Sequence, residues 1–263
     1  MATDWLALCR AAAEDVRAVI AELPTRAERE PVVARGEGGD DTTAIDAAAE
    51  RAILARFDGL EATIVSEEVG KRGNGRTRIV IDPIDGSLNA KRGIPFFSVS
   101  IAVAEGDTMG DVEFAYVFDF GSREEWVARR GEGVFLNGEP LAPQRPKERI
   151  ELLAFEATLT REVAEKAAAF NGIAYRFRIM GSLALSLCHL AAGRLDAVCS
   201  LKPYRSVDVA AGQLLVRERG LAIANVDGDA SFVDAPLDLE PRSRVAAAGT
   251  DDVCRQVIGA LSA

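Results

Sequence analysis

The sequence is poor in residue types on which many enzymes and binding proteins depend. It contains one histidine, His189, which lies in the apolar stretch 185–192 and is predicted to pack in the core. A single histidine all but excludes histidine triads and multi-histidine zinc sites. The four cysteines include no CxxC pair, so a thiolate metal site is not expected, and the predicted location is a reducing cytoplasm.

Excess positive charge and long apolar runs are lacking as well. The net charge of −10 and the isoelectric point near 4.8 argue against a nucleic-acid partner. No apolar run approaches the length of a membrane span, and the amino terminus carries charges within a helical pattern, so neither a signal peptide nor a membrane partner is predicted. A phosphorylated ligand would need positive charge supplied locally by metal ions, backbone amides or a few basic side chains.

The order of apolar patterns predicts an α/β (α+β) fold. Amphipathic helices are predicted over 3–22 and 45–57, and the glycine-rich segment 36–41 between them looks mobile enough to close over a ligand. Residues 62–66 and 79–81 read as strands, and 97–136 reads as an antiparallel meander. From about residue 150, strands and helices alternate up to a terminal helix at 251–261.

A chain of 263 residues with 48% hydrophobic content can form one large domain or two closely packed lobes. We expect an N-terminal lobe, 1–148, and a C-terminal lobe, 149–263. No low-complexity linker separates them, so we predict a rigid interface with a ligand cleft between the lobes.

Acidic residues follow directly on the two short predicted strands. Glu67 and Glu68 come after 62–66, and Asp82 and Asp85 come after 79–81. Two carboxylates held this close repel each other when ionised, so one must be protonated or a divalent cation must lie between them. Magnesium suits such oxygen ligands.

The same residues also have a purely structural interpretation. Asp82 could end a strand, Asp85 could cap a helix, and Gly86 could permit a turn. For one isolated aspartate that interpretation would be preferred. The recurrence of acidic residues in comparable settings, including Asp208 at the start of a predicted helix, favours a functional site, in which Gly86 and Ser87 let the backbone approach a phosphate.

Several segments, in the same order along the chain, resemble the inositol monophosphatase family of magnesium-dependent, lithium-sensitive sugar phosphatases. Residues 82–89 read D-P-I-D-G-S-L-N and match the family's DP(I/L)DG(T/S)xN motif. Residues 66–68 match its Glu-Glu motif, and 207–212 correspond to its WDxA(A/G)G motif. Further family-like segments are 43–46, 131–138, 181–185 and 193–196. The resemblance covers nearly the whole chain and implies a layered αβαβα sandwich of the sugar-phosphatase type.

Carried over position by position, the resemblance implies a site for two or three Mg²⁺ ions, with Mn²⁺ as a possible substitute. Asp40 or Asp41 would hold a weaker third ion, and metal-free protein would be inactive and somewhat less stable. Ser87 and Glu67 would orient the attacking water, with Asp46 supporting the Ser87 hydroxyl. The implied metal ligands are Glu67, Asp82, Asp85, Asp208 and the backbone carbonyl of Ile84.

The resemblance also implies small sugar or polyol phosphates as substrates and a homodimer. Two positions depart from the motifs: Ser87 replaces threonine and keeps the hydroxyl, and Val207 replaces tryptophan. The basic and aromatic segment 202–205 is similar to that of archaeal members acting on fructose 1,6-bisphosphate, a gluconeogenic substrate, and on inositol 1-phosphate. The residues expected to bind substrate are Asp85, Gly86, Ser87, Arg176, Gly181, Ser182, Lys202, Arg205 and Asp208.

Other interpretations remain open. Arg178 is an alternative to Arg176 as a ligand of a second phosphate, and each basic side chain could equally be a solvated surface charge. The same metal site could support a phosphatase of 3′-phosphoadenosine phosphate. A catalytically silent regulatory protein on the same fold would have lost metal ligands, and all the implied ligands are present here.

Overall fold

The computed structural model describes residues 3–263, which form two large β-sheets separated and flanked by helices. The helices are α1 (Trp5–Glu22), α2 (Arg26–Arg29), α3 (Ala44–Phe57), α4 (Ser87–Arg92), α5 (Thr160–Ala167), α6 (Leu183–Ala191), α7 (Ser206–Glu218) and α8 (Asp251–Ser262). The strands are β1 (Val32–Arg35), β2 (Asp41–Thr43), β3 (Ala62–Ser66), β4 (Gly70–Arg72), β5 (Thr77–Asp85), β6 (Ser98–Ala104), β7 (Val112–Asp119), β8 (Glu125–Arg129), β9 (Gly133–Leu136), β10 (Glu139–Pro140), β11 (Ile150–Glu156), β12 (Ala174–Arg178), β13 (Ala197–Ser200), β14 (Ala222–Asn225) and β15 (Val245–Ala248).

The first sheet has eight strands in the order β10-β9-β8-β7-β6-β5-β3-β4. Its strands run antiparallel to their neighbours except β3 and β5, which are parallel. The central strands are apolar on both faces, as expected for a sheet covered on both sides. Ile79 and Ile81 of β5 pack towards α1 and α3, whereas Val80 faces α6 and α7.

The second sheet has five strands in the order β12-β11-β13-β15-β14. One face packs against α6 and α7, and the other forms a separate core with α8 and the region of α5. Helices α6 and α7 therefore lie between the two sheets, and the predicted mixed α/β fold with αβαβα layers is confirmed. The strands of the first sheet end at Pro140 and those of the second begin at Ile150; the division into lobes at 148 remains a prediction.

The segment 36–41 differs most from its prediction. Residues 36–40 form the turn of an antiparallel hairpin between β1 and β2, and Asp41 is the first residue of β2. This hairpin lies against the end of β3. The Gly38 N–H donates to the Glu67 carbonyl at 3.0 Å, and the Glu37 N–H donates to the Glu68 carbonyl at 3.1 Å. Backbone hydrogen bonds thus dock a segment that its glycine content made look mobile.

Smaller differences concern element ends. The predicted strand 79–81 belongs to the longer β5, and the stretch 125–136 is divided into β8 and β9 by a tight turn. The edge strands β4 and β14 carried no clear apolar alternation and were not predicted. Within residues 3–263, no helix is long and apolar enough to cross a membrane.

Candidate active site

The carboxyl ends of β3 and β5 bring the first acidic residues together. The two strands are parallel neighbours, with Ser66 opposite Ile81, so Glu67 and Asp82 leave the sheet side by side. The pairing of β5 with β6 is irregular between Asp82 and Asp85, where Pro83 has no N–H to donate. This irregularity turns the chain at the carboxyl end of β5.

Asp85 is bound by the amino terminus of α6, which belongs to the other half of the chain. The Ser182 hydroxyl donates to Asp85 Oδ2, as does the Ala184 N–H at 2.8 Å, while the Leu183 N–H reaches Oδ1 at 3.3 Å. Burial raises the pKa of Asp85 to about 6, although these hydrogen bonds act to lower it. The arrangement joins the first sheet to the helices between the sheets.

Asp208 joins the same group from the first turn of α7. Its carboxylate accepts a hydrogen bond from the Arg205 N–H at 2.6 Å, which caps the helix. Burial raises the pKa of Asp82 well above its ordinary value, and the charges of Glu67, Asp85 and Asp208 raise it further. The structure thus brings together the acidic residues that the sequence singled out, from β3, β5 and α7.

Arg205 lies inside this acidic group. Its Nη2 donates to Glu67 Oε1 at 2.6 Å and to Asp208 Oδ1 at 3.3 Å, and its Nη1 lies 3.3 Å from Asp40 Oδ2. Burial and the charges of Asp208 and Glu68 raise the pKa of Glu67 to about 8, whereas the Arg205 contact acts to lower it. The residue expected to contact substrate therefore engages predicted metal ligands.

The donor set fits a divalent cation in kind, because it consists of buried carboxylate oxygens that repel one another unless a positive charge lies among them. The positions of the carboxylates fit a metal ion less well than their chemistry does. Within residues 3–263, no three acidic, histidine or cysteine side chains already converge as ligands of one ion. Arg205 donates to Glu67 and Asp208, and α6 donates to Asp85, so part of the capacity of these oxygens to accept a further partner is already used.

Gly86 and Ser87 form the turn that leads from β5 into α4. Gly86 has a φ of 93°, and a Cβ there would lie 3.0 Å from the Gly181 carbonyl and 3.1 Å from the Phe96 carbonyl, so glycine is required. The Ser87 hydroxyl donates to the Ile84 carbonyl at 2.9 Å. The carbonyl predicted to bind metal therefore already has a hydrogen-bond donor.

The expected contact between Asp46 and Ser87 is not formed. Asp46 Oδ2 instead accepts the Thr43 N–H at 3.2 Å and the Thr43 hydroxyl at 2.5 Å, which caps α3. Its other oxygen, Oδ1, is buried and has no hydrogen-bond partner among the described residues. A buried carboxylate oxygen without a donor is costly, so this atom is a candidate for contact with water or ligand.

Two buried glutamates at the site were missed by the sequence analysis. Glu50 on α3 accepts hydrogen bonds from the Ser66 hydroxyl at 2.6 Å and from the N–H groups of Glu68 and Val69 at 3.2 and 3.1 Å, so it holds the turn that carries Glu67. The available signal was its i, i+4 spacing from Asp46, which places both acids on one helix face.

Glu156 is the second missed residue and ends β11. Its carboxylate accepts the Gly181 N–H at 2.9 Å and the Ser186 hydroxyl at 2.7 Å, which fixes the start of α6. Burial raises the pKa of Glu156 to about 8. An acidic residue at the end of a buried strand was the available signal, since the same signal identified Glu67 and Asp82.

An open cleft of about 570 Å³ is lined in part by Asp85, Arg205 and Asp208. Lys202 lies in it as an exposed cation, whereas Arg176 lies outside it on the edge strand β12, in a groove shared with Arg178. The Arg176 guanidinium is 5.1 Å from the Tyr175 ring, so Arg176 does not join the site within one chain. The lining of the cleft includes Gly38, Asp40, Asp85, Glu156, Gly181, Lys202, Arg205 and Asp208.

His189 is half-buried away from this cleft. Its ring stacks on Phe96 with centroids 5.7 Å apart and meets the edge of Trp126 at 6.1 Å. Burial, with the nearby Arg194 charge, lowers the pKa of His189. These contacts agree with the packing role expected from the sequence.

Comparison with known proteins identifies the family. The model of the inositol monophosphatase family matches residues 5–261, and this protein belongs to that family. The family is generally metal-dependent, most often with Mg²⁺. The resemblance seen in the sequence is thus confirmed over nearly the whole chain.

Individual relatives carry different names. The chain is 33% identical to the fructose-1,6-bisphosphatase/inositol-1-monophosphatase of Archaeoglobus fulgidus over 93% of each protein. It is 35% identical to the Nus factor SuhB of Pasteurella multocida over 74% of this chain and 75% of the relative. A crystal structure of an inositol monophosphatase-fructose 1,6 bisphosphatase superposes with a TM-score of 0.87 at 25% identity, covering 98% of this chain and all of that one.

Proposed function

We propose that this protein is a magnesium-dependent hydrolase of small phosphate monoesters, with fructose 1,6-bisphosphate and inositol 1-phosphate as substrates. The observation that carries the proposal is the grouping of buried carboxylates beside the cleft: Glu67 and Asp208 share the Arg205 guanidinium, and the charges of Glu67, Asp85 and Asp208 act on the buried Asp82. Relatives named fructose-1,6-bisphosphatase/inositol-1-monophosphatase support the choice of substrates.

In this proposal, Mg²⁺ is held by those four carboxylates and the Ile84 carbonyl. When bound, it would lower the pKa of a water molecule and neutralise charge on the phosphate and the leaving oxygen. Mn²⁺ is proposed as a substitute and lithium as an inhibitor. Asp40, which is exposed on the hairpin turn, or its neighbour Asp41 is proposed to hold a weaker third ion.

The chain's own groups would position the reactants. The turn at Gly86 and Ser87 is proposed to seat the phosphate against the backbone, although the Cβ position of Gly86 itself is filled by the carbonyls of Gly181 and Phe96. Glu67 and Ser87 are proposed to orient the attacking water. The supporting contact of Asp46 with the Ser87 hydroxyl is absent, because that hydroxyl donates to the Ile84 carbonyl and Asp46 binds Thr43. Water would displace the alcohol directly, so no covalent enzyme intermediate is needed.

Lys202 is proposed as the ligand of a second phosphate, because its ammonium group is exposed within the cleft. Arg205 also lines the cleft but is engaged by Glu67 and Asp208. Gly181 lines the cleft and would contact the sugar at the start of α6. Ser182, expected from the sequence to bind substrate, is instead buried, and its hydroxyl donates to Asp85. If Arg176 binds substrate, it must do so across the proposed homodimer, since it lies outside the cleft of its own chain.

Phosphate release from the two substrates tests the proposal. We expect release that requires Mg²⁺, stops in excess chelator and is lost in Asp208→Asn. Asp252→Asn, which changes an exposed carboxylate on α8, is the matched control and should retain activity. Undiminished phosphate release in excess chelator would contradict the metal-dependent mechanism. In Lys202→Gln, activity on fructose 1,6-bisphosphate should fall more than activity on inositol 1-phosphate.

A second candidate is a role like that of the relatives named Nus factor SuhB, to one of which the chain is 35% identical. If the purified protein binds Mg²⁺ but releases no phosphate from either sugar or polyol phosphates, this alternative gains support.

A further inference from the structure

The Arg205 guanidinium is already bound by several acceptors of the protein at the candidate site. Its guanidinium has four acceptors on three segments: Glu67 at 2.6 Å, Asp208 at 3.3 Å, Asp40 at 3.3 Å and the Gly38 carbonyl at 3.4 Å. Only 15% of its side chain is exposed. The positive charge is thus held among carboxylates that would otherwise repel one another.

The hairpin turn is shaped around this guanidinium. A Cβ added at Gly38 would lie 2.5 Å from Arg205 Nη1, so a larger residue there would displace the end of the arginine side chain. The same glycine donates its N–H to the Glu67 carbonyl at 3.0 Å. The turn therefore contacts both the guanidinium and the backbone of its principal partner.

Glu67 and Asp208 cannot give the same lone pairs to a guanidinium and to a metal ion. One nitrogen, Nη2, contacts both carboxylates. Two positive charges at these oxygens would repel each other, so binding of one cation must weaken binding of the other.

We propose that Arg205 is an internal cation that competes with Mg²⁺ for Glu67 and Asp208, so that metal binding releases its guanidinium and loosens its contacts with the Gly38–Asp40 turn. This inference rests on the proposed function, since it takes Glu67 and Asp208 as metal ligands. It makes Arg205 a residue that sets metal affinity and stabilises the metal-free protein.

Calorimetric titration of the full, metal-stripped chain with Mg²⁺ tests the competition without measuring activity. Arg205→Gln should bind Mg²⁺ about fivefold or more tightly than wild type, because the carboxylates lose their competing partner. Its metal-free form should melt at a lower temperature than wild type, with the difference reduced in saturating Mg²⁺. Arg205→Lys should lie between the two.

Two further variants separate competition from general charge effects. Lys202→Gln removes the same charge from the same cleft but should change Mg²⁺ affinity much less, since Lys202 makes no contact with Glu67 or Asp208. Gly38→Ala keeps every charge and should raise Mg²⁺ affinity, because its Cβ would lie 2.5 Å from Arg205 Nη1, much closer than the 3.2 Å to the Glu67 carbonyl and the 3.5 Å to Glu67 Cγ. It also provides a test if Arg205→Gln fails to fold.

The outcomes distinguish this inference from the proposed function. If Arg205→Gln and Gly38→Ala bind Mg²⁺ no more tightly than wild type while Asp208→Asn loses binding, the competition is refuted and the metal site stands. If neither wild type nor any Arg205 or Gly38 variant binds Mg²⁺, both proposals fail. If Arg205→Gln binds Mg²⁺ and wild type does not, the competition is supported, because the guanidinium then excludes the ion completely.

Discussion

Ser182, at the start of α6, donates its hydroxyl hydrogen to Asp85, which lies 97 residues earlier at the end of β5. This bond and those from the N–H groups of Leu183 and Ala184 tie a predicted metal ligand to a helix from the other half of the chain. The helix amino terminus favours the ionised carboxylate. The geometry of Asp85 therefore depends on how the two halves of the chain pack.

Ser182→Ala should destabilise the protein by about 2–3 kcal/mol, because it removes a hydrogen bond to a charged group as well as the cap of α6. It should also weaken Mg²⁺ binding near neutral pH, since the lost bond helps to keep the pKa of Asp85 down. Urea unfolding and calorimetric Mg²⁺ titration measure the two effects.

Thr250→Ala is the matched control for this change. Thr250 caps α8 through a bond from the Val253 N–H at 3.3 Å and contacts no carboxylate of the site. We expect a loss of about 1 kcal/mol from the cap alone, with Mg²⁺ affinity unchanged. Equal losses of stability and affinity in both variants would show that the Ser182–Asp85 bond contributes nothing specific.

Gly86→Ala should be destabilising and should impair catalysis. The residue has a φ of 93°, and the new Cβ would press on the backbone carbonyls of Gly181 and Phe96. Gly93→Ala, at the other end of α4, has a φ of 72° and nothing within 4 Å of the new Cβ. It should show only the backbone cost of about 1–2 kcal/mol.

The free energy of unfolding should fall more in Gly86→Ala than in Gly93→Ala, by the cost of the two close contacts. Only Gly86→Ala should lower the rate of phosphate release. Denaturant unfolding and a phosphatase assay on both variants measure this. A Gly86→Ala protein as stable and active as Gly93→Ala would mean that the turn has room for a side chain.

The acidic residues could be singled out from the sequence because their signal is local. Glu67 and Asp82 each follow an apolar strand, and short strands with polar ends can be recognised without knowing what they pack against. Asp208 was recognised with the help of the family motif. The local pattern does not predict that β3 and β5 pair in parallel, and this pairing places Glu67 and Asp82 side by side.

The interactions that the sequence analysis missed all depend on distant segments. Glu50 looks like an ordinary helix residue until the 66–69 turn is seen to donate to it. Arg205 was expected to face substrate because its neighbours are basic and aromatic, yet the nearest strong acceptors come from β3 and the hairpin turn. Glycines at 36–39 suggested mobility, whereas backbone bonds to Glu67 and Glu68 dock the turn.

Magnesium should stabilise the folded protein, because only the folded chain brings the four carboxylates together. At a free concentration about 100 times the dissociation constant, one bound ion adds about 2.7 kcal/mol to the free energy of unfolding. Asp208→Asn should lose most of this gain, and Asp252→Asn should keep it. Thermal melting with and without Mg²⁺ measures the gain, and a wild-type melting temperature indifferent to Mg²⁺ would argue against a metal site.

Stability of the metal-free protein should fall as the pH rises, and Glu156 should contribute to the fall. Burial raises the pKa of Glu156 from 4.5 to about 8 in the folded chain. Between these values the folded state holds a proton that the unfolded state has released, so raising the pH favours unfolding. The contribution is full below about pH 4.5 and is lost as the pH passes through about 8.

Glu156→Gln tests this, because the amide keeps the shape of the side chain but does not titrate. We expect the variant to lose less stability than wild type between pH 5 and pH 8 in urea unfolding with chelator present. Glu165→Gln, on the exposed face of α5, should follow the wild-type pH dependence. Glu156 also accepts hydrogen bonds from the Gly181 N–H and the Ser186 hydroxyl at the start of α6. If the stability of Glu156→Gln and of wild type depends on pH in the same way, the Glu156 carboxyl titrates normally despite its burial.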